Sequence, residues 1–156
     1  MQEKPEIQLI ALTAENYQRY LADWEDIERE AFALPWQAES VSKDICQHQA
    51  ASYLACIQGE HLIGYASYWL IAGEGNINNV AIARSFRGQG LGKRLMQALI
   101  ADCKQRGGTA MTLEVRESNV AAIALYQKLG FHIAGVRPHY YEDNQENALI
   151  MWLYFD

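Results

Sequence analysis

The first third of the chain changes between strand-like and helix-like spacing of its apolar residues. A β-rich run over Ile7–Leu12 predicts a short strand. Behind it, apolar residues recur every three or four positions, as on one face of a helix: Tyr17, Tyr20, Leu21, Trp24, Ile27 and Ala31. This spacing predicts an amphipathic helix that Thr13 caps and that ends near Glu30. After a break, a shorter helix is predicted over Ala38–Gln47.

The spacing then becomes that of extended strands. Residues 52–58 and His61–Ile71 are rich in β-branched and aromatic residues, and Gly59-Glu60 between them is a two-residue hairpin turn. Residues 73–75 form a further turn, and 76–82 a third strand. Because short turns join them, we expect an antiparallel meander.

Helices and strands alternate in the second half. The predicted elements are a helix over 90–105 with Leu91, Leu95, Leu99 and Ile100 facing inward, a strand over 109–116, a helix over 120–129, and strands over 132–136 and Ala148–Tyr154. Connections through helices join parallel strands, so we expect parallel pairing here. The order predicts an α/β fold with one mixed sheet of about seven strands and helices on both faces, in a single domain spanning 1–156.

Composition narrows the class of protein. The chain has 156 residues, 50% of them hydrophobic and 21% charged, which suits one domain with one core. No apolar run approaches the roughly 20 residues of a membrane helix, and the polar start, residues 1–7, lacks the apolar segment of a secretory signal. Cys46, Cys56 and Cys103 form no C-x-x-C pair, so we expect free buried thiols and a cytoplasmic location.

The formal net charge of −6 limits the partners. Binding to nucleic acid needs clustered Lys and Arg, so we expect no direct nucleic-acid partner, and no membrane partner. An acidic surface suits a cationic partner such as an amine or a basic peptide. We expect a monomer or at most a weakly associating dimer.

A glycine-rich loop is the sharpest local signal. Gly88, Gly90 and Gly92 alternate between a predicted strand and a predicted helix, with Arg87 and Lys93 at the rim. Backbone N–H groups in such a turn, together with the positive end of the helix dipole, favour an anion. The spacing excludes both the G-x-G-x-x-G fingerprint and the P-loop. A glycine-rich turn without a ligand is the alternative.

The loop carries a family resemblance. Arg87-x-x-Gly90-x-Gly92 resembles the (Q/R)-x-x-G-x-(G/A) loop of the GNAT acetyltransferase superfamily. Several short runs are similar to the ribosomal-protein-alanine N-acetyltransferase subgroup: residues 113–116, Asn119, residues 124–126, residues 129–131, the Pro35-Trp36 pair and Arg137-x-x-Tyr140-Tyr141. The resemblance covers most of the chain and is most specific in the second half.

The resemblance implies acetyl-CoA as co-substrate. Its pyrophosphate would lie on the loop formed by Arg87, Gly88, Gln89, Gly90, Leu91, Gly92 and Lys93. Its pantetheine arm would follow the strand residues Val80, Ala81 and Ile82, with Asn119 and Tyr126 beside it. No metal is expected, since His48, His61, His132 and His139 show no metal-binding spacing.

Two side chains are candidates for the chemistry. The resemblance implies that Glu114 is the general base and that Tyr126 protonates the leaving thiolate. Taken from the residues alone, Glu114 could instead face solvent paired with Arg116, and Tyr126 could be a core aromatic.

The resemblance also implies an acceptor. Pro35, Trp36, Arg137, Tyr140 and Tyr141 would bind the N-terminal peptide of the eighteenth small-subunit ribosomal protein, and its N-terminal alanine would be acetylated. His139, beside the two tyrosines, is a further candidate for the acceptor mouth.

Three alternatives stay open at this point. They are a small amine or a lysine as acceptor, and an acyl-CoA-binding module without catalysis. The chain departs from the subgroup in two segments that the family uses near the acceptor: residues 32–37 replace F-P-W-S, and Asn147 stands where an acidic residue is common.

Overall fold

A computed structural model describes residues 5–32 and 34–156, so the polar start of the chain lies partly outside the described residues. Within them the elements are β1 (Ile7–Leu12), α1 (Leu21–Ala31), α2 (Ala38–Gln47), β2 (Ala51–Gln58), β3 (His61–Ile71), β4 (Glu74–Ile82), α3 (Leu91–Gln105), β5 (Ala110–Arg116), α4 (Val120–Lys128), β6 (His132–Arg137) and β7 (Ala148–Tyr154), with 3-10 turns at Tyr17–Tyr20 and Arg84–Phe86. Apart from the first helix, the predicted bounds agree with these within two residues.

The strands form one seven-stranded mixed sheet in the order β1-β2-β3-β4-β5-β7-β6, which confirms the predicted class. Strands β1 to β4 are an antiparallel meander, and β4 pairs with β5 in parallel. The helical crossovers join parallel strands, as predicted, but β5 and β6 are not neighbours in the sheet. They run in the same direction, but β7 returns after the long loop 138–147 and pairs antiparallel with both.

Each face of the sheet carries its own core. Helix α3 covers one face, where Leu95, Met96 and Leu99 have no exposed surface, and Ile100 is only partly buried. On the other face, α1 and α2 cover β2 to β4, and Trp24 and Tyr65 are central to that core. The helices therefore lie on both faces, as predicted.

The predicted start of the first helix is wrong. Asn16 Oδ1 accepts a hydrogen bond from Thr13 N at 2.8 Å, and Asn16 Nδ2 donates to Ala11 O at 3.0 Å. These local bonds compete with the helix, so Thr13 caps nothing and α1 begins at Leu21 after the 3-10 turn. Tyr17 is buried nevertheless, as its spacing predicted.

The structure bears on two expectations from composition, the state of the cysteines and the absence of a membrane helix. Cys56 and Cys103 are buried free thiols, whereas Cys46 is exposed, so the expectation of three buried thiols is wrong there. In the ranges that the structure describes, no helix is both long and apolar enough to cross a bilayer.

Strands β4 and β5 separate soon after they meet. Their pairing consists of Glu74–Ala110, Gly75–Met111 and Asn76–Thr112. Just beyond it the register of β4 with β3 shifts, because Asn78 is an extra residue between the partners of Ser67 and Tyr68. Such a bulge bends a strand. From residue 77 onward, the edge of β4 that faces β5 therefore carries no ladder hydrogen bonds.

A carboxyl group is buried in the core beneath α1. Glu28 is 1% exposed. It accepts hydrogen bonds from the Tyr65 hydroxyl and, at 3.0 Å, from Trp36 N. Burial raises its pKa from 4.5 to about 7, although the Trp36 N–H partly opposes the shift.

This shift predicts a pH-dependent stability. A folded-state pKa raised from 4.5 to about 7 means that the stabilising contribution of Glu28 is fully present below pH 4.5 and is lost as the pH rises through about 7. The full loss amounts to about 3 kcal/mol. Glu28→Gln cannot ionise at this position. Its free energy of unfolding relative to that of the parent should therefore be higher at about pH 8 than at about pH 5, as measured by urea unfolding at the two pH values. Equal differences at both pH values would contradict the shift.

Candidate active site

A cleft of about 650 Å³ opens where β4 and β5 separate. Both strands line its floor, α1 and the loop behind it form one wall, and α4 and the loop between β6 and β7 form the other. The lining residues are 31, 32, 34, 36, 76–80, 112–116, 119, 126 and 140–143. The tertiary structure therefore brings together segments from both ends of the chain.

Most of the predicted catalytic and acceptor residues meet in this cleft. Seven predicted residues line it: Trp36, Val80, Glu114, Asn119, Tyr126, Tyr140 and Tyr141. Arg137 does not line it but contacts Glu114. Pro35 is exposed beside it. The side chain of Ala81 packs into the core beneath α1, so only its backbone could serve a ligand. Phe32, Leu34 and Thr112 line the cleft although the sequence did not single them out.

Glu114 forms an ion pair with the last residue of β6, Arg137. Arg137 Nε lies 2.8 Å from Glu114 Oε1, and the Glu114 side chain is 28% exposed. A hydrogen bond to Glu114, with burial second, raises the pKa of Tyr140 to about 12. The alternative in which Glu114 pairs with Arg116 is wrong, because the ion-pair partner of Glu114 is Arg137. Glu114 and Tyr140, two residues that the family pattern singled out, both line the cleft.

Arg116 instead fastens the loop between β6 and β7. Its guanidinium lies 3.0 Å from Asp143 Oδ1 and 3.3 Å from Glu146 Oε1, and 3.9 Å from the centre of the Tyr141 ring. Glu146 Oε2 also accepts from Ser118 N at 2.8 Å. These contacts hold Tyr141 over the cleft. Alternation along β5 places Arg116 on the same face as Glu114, and this was the signal that could have found it.

Tyr126 belongs to the core and to the cleft at once. It is 9% exposed, and its ring centre lies 6.0 Å from that of Phe131. Burial, with the nearby Tyr141 second, raises the pKa of Tyr126 to about 12. The phenol therefore keeps its proton at neutral pH and can donate a hydrogen bond into the cleft. Both readings of the sequence are compatible with this position.

The glycine loop has the backbone geometry of an anion site. Gly88 and Gly90 have φ of +80° and +79°, and a Cβ on either would meet no atom within 4 Å, so a ligand can approach closely. No backbone N–H of residues 88–93 has an acceptor among the hydrogen bonds of the described residues, and these groups begin the 15-residue helix α3. Arg87 Nε donates to Ile82 O at 3.1 Å, which ties the loop to the end of β4. A pyrophosphate fits this arrangement.

The free edge of β4 connects this loop with the cleft. Past Asn76 no strand pairs with that edge, so its backbone groups can bond an extended, amide-bearing chain. Asn119, at the far side of the cleft, caps α4 by accepting from Ala122 N at 3.3 Å. The predicted cap role of Asn119 therefore exists alongside its position in the cleft.

The histidines lie apart from the cleft. His139 has φ of +53° and borders a separate shallow depression with Glu117, Gln145 and Glu146. Across residues 5–32 and 34–156 we find no group of three or more His, Cys, Asp or Glu side chains that could hold a metal ion.

An anion-binding loop, a free strand edge and a cleft with a carboxylate and a protonated phenol define a class: an acyltransferase that takes its acyl group from a coenzyme A thioester. The model of the acetyltransferase (GNAT) family matches residues 21–131. The chain belongs to this family, whose members use acetyl-CoA, and it is an acyltransferase rather than a non-catalytic binding module.

Relatives with known structures or names agree with this assignment. The ribosomal protein bS18-alanine N-acetyltransferase of Escherichia coli K12 is 37% identical over 131 residues, which cover 81% of this chain and 86% of that protein. The crystal structure of the Escherichia coli ribosomal-protein-S18-alanine N-acetyltransferase superposes with a TM-score of 0.84 at 32% identity over 96% of this chain and 94% of that one. The NatC complex bound to Gag peptide and CoA shares the fold, with a TM-score of 0.85 at 20% identity over 97% and 99% of the two chains.

The glycine loop yields a prediction about acetyl-CoA. Gly90→Val should weaken acetyl-CoA binding by about tenfold or more, because the new side chain lies where the pyrophosphate must approach the backbone. Gly107→Val is the matched control, since Gly107 also has positive φ (+89°) and open space around its Cβ, at the other end of α3. Both variants carry the same type of backbone strain, so calorimetric titration isolates the effect of position. Equal affinities in the two variants would exclude the loop as the pyrophosphate site.

Proposed function

We propose that this enzyme transfers the acetyl group of acetyl-CoA directly to the N-terminal α-amine of ribosomal protein bS18, at its alanine. The observation that carries the proposal is that Glu114 and Tyr126 line one cleft at the end of the free edge of β4. The names of the relatives supply the acceptor. Acetyl-CoA, when bound, supplies the activated thioester.

The chain's own groups would hold the cofactor along one path. The amides of residues 88–93 would bind the pyrophosphate, and the backbone of Val80, Ala81 and Ile82 would bond the pantetheine amides. Asn119 and Tyr126 would lie at the reacting end, since both line the cleft. The unpaired donors of the loop and the unpaired edge of β4 support this path.

Glu114 would accept the proton of the attacking amine. A peptide α-amine has a reference pKa of about 7.7–8.0, so roughly a tenth is already unprotonated at pH 7, whereas a lysine amine near 10.4 is unprotonated to only about 0.04%. A carboxylate is a weak base and suffices for the first case far better than for the second. Arg137 holds Glu114 in the free enzyme, so the incoming ammonium group would compete with this guanidinium for the carboxylate.

Tyr126 would stabilise the leaving thiolate. Its pKa of about 12 keeps the proton on the phenol, and an ordinary thiol has a pKa near 8.5. Complete proton transfer to the thiolate is therefore uphill, and a strong hydrogen bond from the phenol in the transition state would carry much of the effect.

The walls of the cleft suit a short, cationic N-terminus. Trp36 and Leu34 offer apolar surface on one side, and Tyr140 and Tyr141 offer aromatic surface with hydroxyl groups on the other. Carboxylates at the mouth, together with the net charge of −6, attract an ammonium group.

Tyr126→Phe tests the acid. The change removes the hydroxyl and little packing, so turnover should fall by about 10²-fold or more while affinity for acetyl-CoA stays nearly constant. Tyr17→Phe is the control, since Tyr17 is also buried but its hydroxyl lies outside the cleft, 2.6 Å from Ser42 Oγ on α2. Steady-state rates and calorimetric titration provide the two values. Full activity would leave Tyr126 as a core aromatic only.

Glu114→Gln tests the base. The shape is kept and the basicity lost, so the rate at pH 7 should fall by about 10²–10⁴-fold. The loss should shrink as the pH rises, because more of the amine is then already unprotonated. Glu142→Gln makes the same change of charge in the same cleft and should retain most of the rate. A Glu114→Gln enzyme as fast as the parent at pH 7 would exclude Glu114 as the base.

The same assays decide the acceptor. A peptide that begins with the N-terminal sequence of bS18 and contains an internal lysine should be acetylated at its α-amine, as located by mass spectrometry. A peptide with a blocked α-amine is the control and should not react. Acetylation mainly at lysine would refute the acceptor assignment but not the cofactor site.

A further inference from the structure

A buried side chain that does not itself line the cleft makes the hydrogen bond that fixes the backbone of one cleft wall. Glu28 lies near the end of α1 at 1% exposure, and its Oε2 accepts from Trp36 N at 3.0 Å. Trp36, Leu34 and Phe32 all line the cleft. Leu34 is 66% exposed, whereas Phe32 and Trp36 are partly buried and pack against the core beneath α1.

The bond from Trp36 reaches across eight residues of chain. Helix α1 ends at Ala31, and α2 begins at Ala38. Between them, in the described part of this connection, we find no other hydrogen bond that ties residues 34–36 to the rest of the protein. Trp36 also packs against the core beneath α1, but among the hydrogen bonds of the described residues only the one to Glu28 fixes the backbone of this segment.

Aromatic groups surround the carboxyl. The Tyr65 hydroxyl donates to the other oxygen, and the ring of Tyr65 packs beside those of Trp24 and Tyr53, at 6.0 and 6.4 Å between ring centres. Asp44, which accepts from Tyr53 at 2.6 Å, is the next acidic group in this network. Among the described ion pairs none reaches Glu28, and Arg29, its neighbour in sequence, pairs with Glu25 and Asp26 at the surface.

A buried carboxyl without a cation is expensive to keep, because burial disfavours its charged form. An apolar residue at this position would pack against the same aromatic rings without that cost, but it could not accept the Trp36 N–H. Only an acceptor can satisfy both the Tyr65 hydroxyl and the Trp36 N–H, and of these two donors only Trp36 belongs to the wall of the cleft. Hydrogen bonds to charged groups are also stronger than those between neutral groups, so the ionised form holds Trp36 most firmly.

We infer that Glu28 is a positioning residue for the acceptor peptide: through its hydrogen bond to Trp36 it holds the 34–36 segment as the wall against which the first residues of the peptide bind. The inference rests on the proposed function in that the acceptor is a peptide. Glu28 itself touches neither peptide nor cofactor.

Glu28→Ala and Tyr65→Phe separate this role from general support of the core. Glu28→Ala removes both hydrogen bonds at this carboxyl, whereas Tyr65→Phe removes only the bond from Tyr65 and leaves Trp36 N bonded. At pH 8, Glu28→Ala should raise KM for an N-terminal bS18 peptide about tenfold, the scale of one hydrogen bond to a charged group. Its kcat and its affinity for acetyl-CoA should stay within about twofold of the parent values. Tyr65→Phe should leave KM nearly unchanged. Equal rises of KM in the two variants would overturn the inference.

Amide hydrogen exchange at Trp36 tests the anchor without any acceptor. Exchange should be about tenfold faster in Glu28→Ala and unchanged in Tyr65→Phe. Glu28→Gln keeps a neutral acceptor in place, so it should show a smaller acceleration and a correspondingly small rise of KM, and it replaces the alanine variant if that one does not fold. Unchanged exchange in the variants, or faster exchange with unchanged KM, would overturn the inference. If the parent enzyme does not acetylate the peptide, the proposed acceptor is refuted. The rate of amide hydrogen exchange at Trp36 still decides whether Glu28 anchors the loop.

Discussion

The separation of β4 and β5 after three paired residues is the constraint on which the site depends. A parallel ladder continued to Ile82 would fill the space that the cleft now occupies. The bulge at Asn78 bends β4 away, while Gly75 keeps the paired end closed, since a Cβ there would lie 2.9 Å from Cys103 Sγ. The separation leaves backbone donors and acceptors of β4 without protein partners. Such groups are stabilised when a ligand bonds them, which makes the break in the sheet a binding feature.

Polar side chains hold the two walls of the cleft, in opposite electrostatic settings. Arg116 is partly exposed and has two carboxylates and the ring of Tyr141 around it, so its charge is compensated locally. Glu28 is enclosed by aromatic rings, and burial raises its pKa to about 7. Removing one contact of Arg116 leaves the others in place. The Trp36 segment packs against the core, but among the described residues only one hydrogen bond, to Glu28, fixes its backbone.

The parts of the site that were predictable are those in which backbone conformation depends on near neighbours. Alternating glycines between a strand and a helix can form a loop with free N–H groups whatever packs behind it, and Gly88 and Gly90 do so. Alternation along β5 placed Glu114 and Arg116 on one face. Helical spacing identified Leu95 and Leu99 as core residues. The predicted start of the first helix was wrong because Asn16 makes local hydrogen bonds that the spacing of apolar residues does not reveal.

The sequence by itself determined the order of the elements and the mixed sheet, and it predicted the glycine loop as an anion site and, through the family pattern, the residues of the reaction. Only the tertiary structure decided the partners of two side chains, Arg137 rather than Arg116 for Glu114 and Trp36 for Glu28. It also decided that β7 lies between β5 and β6 in the sheet. The physical reason is range. Spacing and turn chemistry act over a few residues, whereas Glu114 on β5 and Arg137 on β6 lie far apart in sequence and meet across β7, which pairs with both strands.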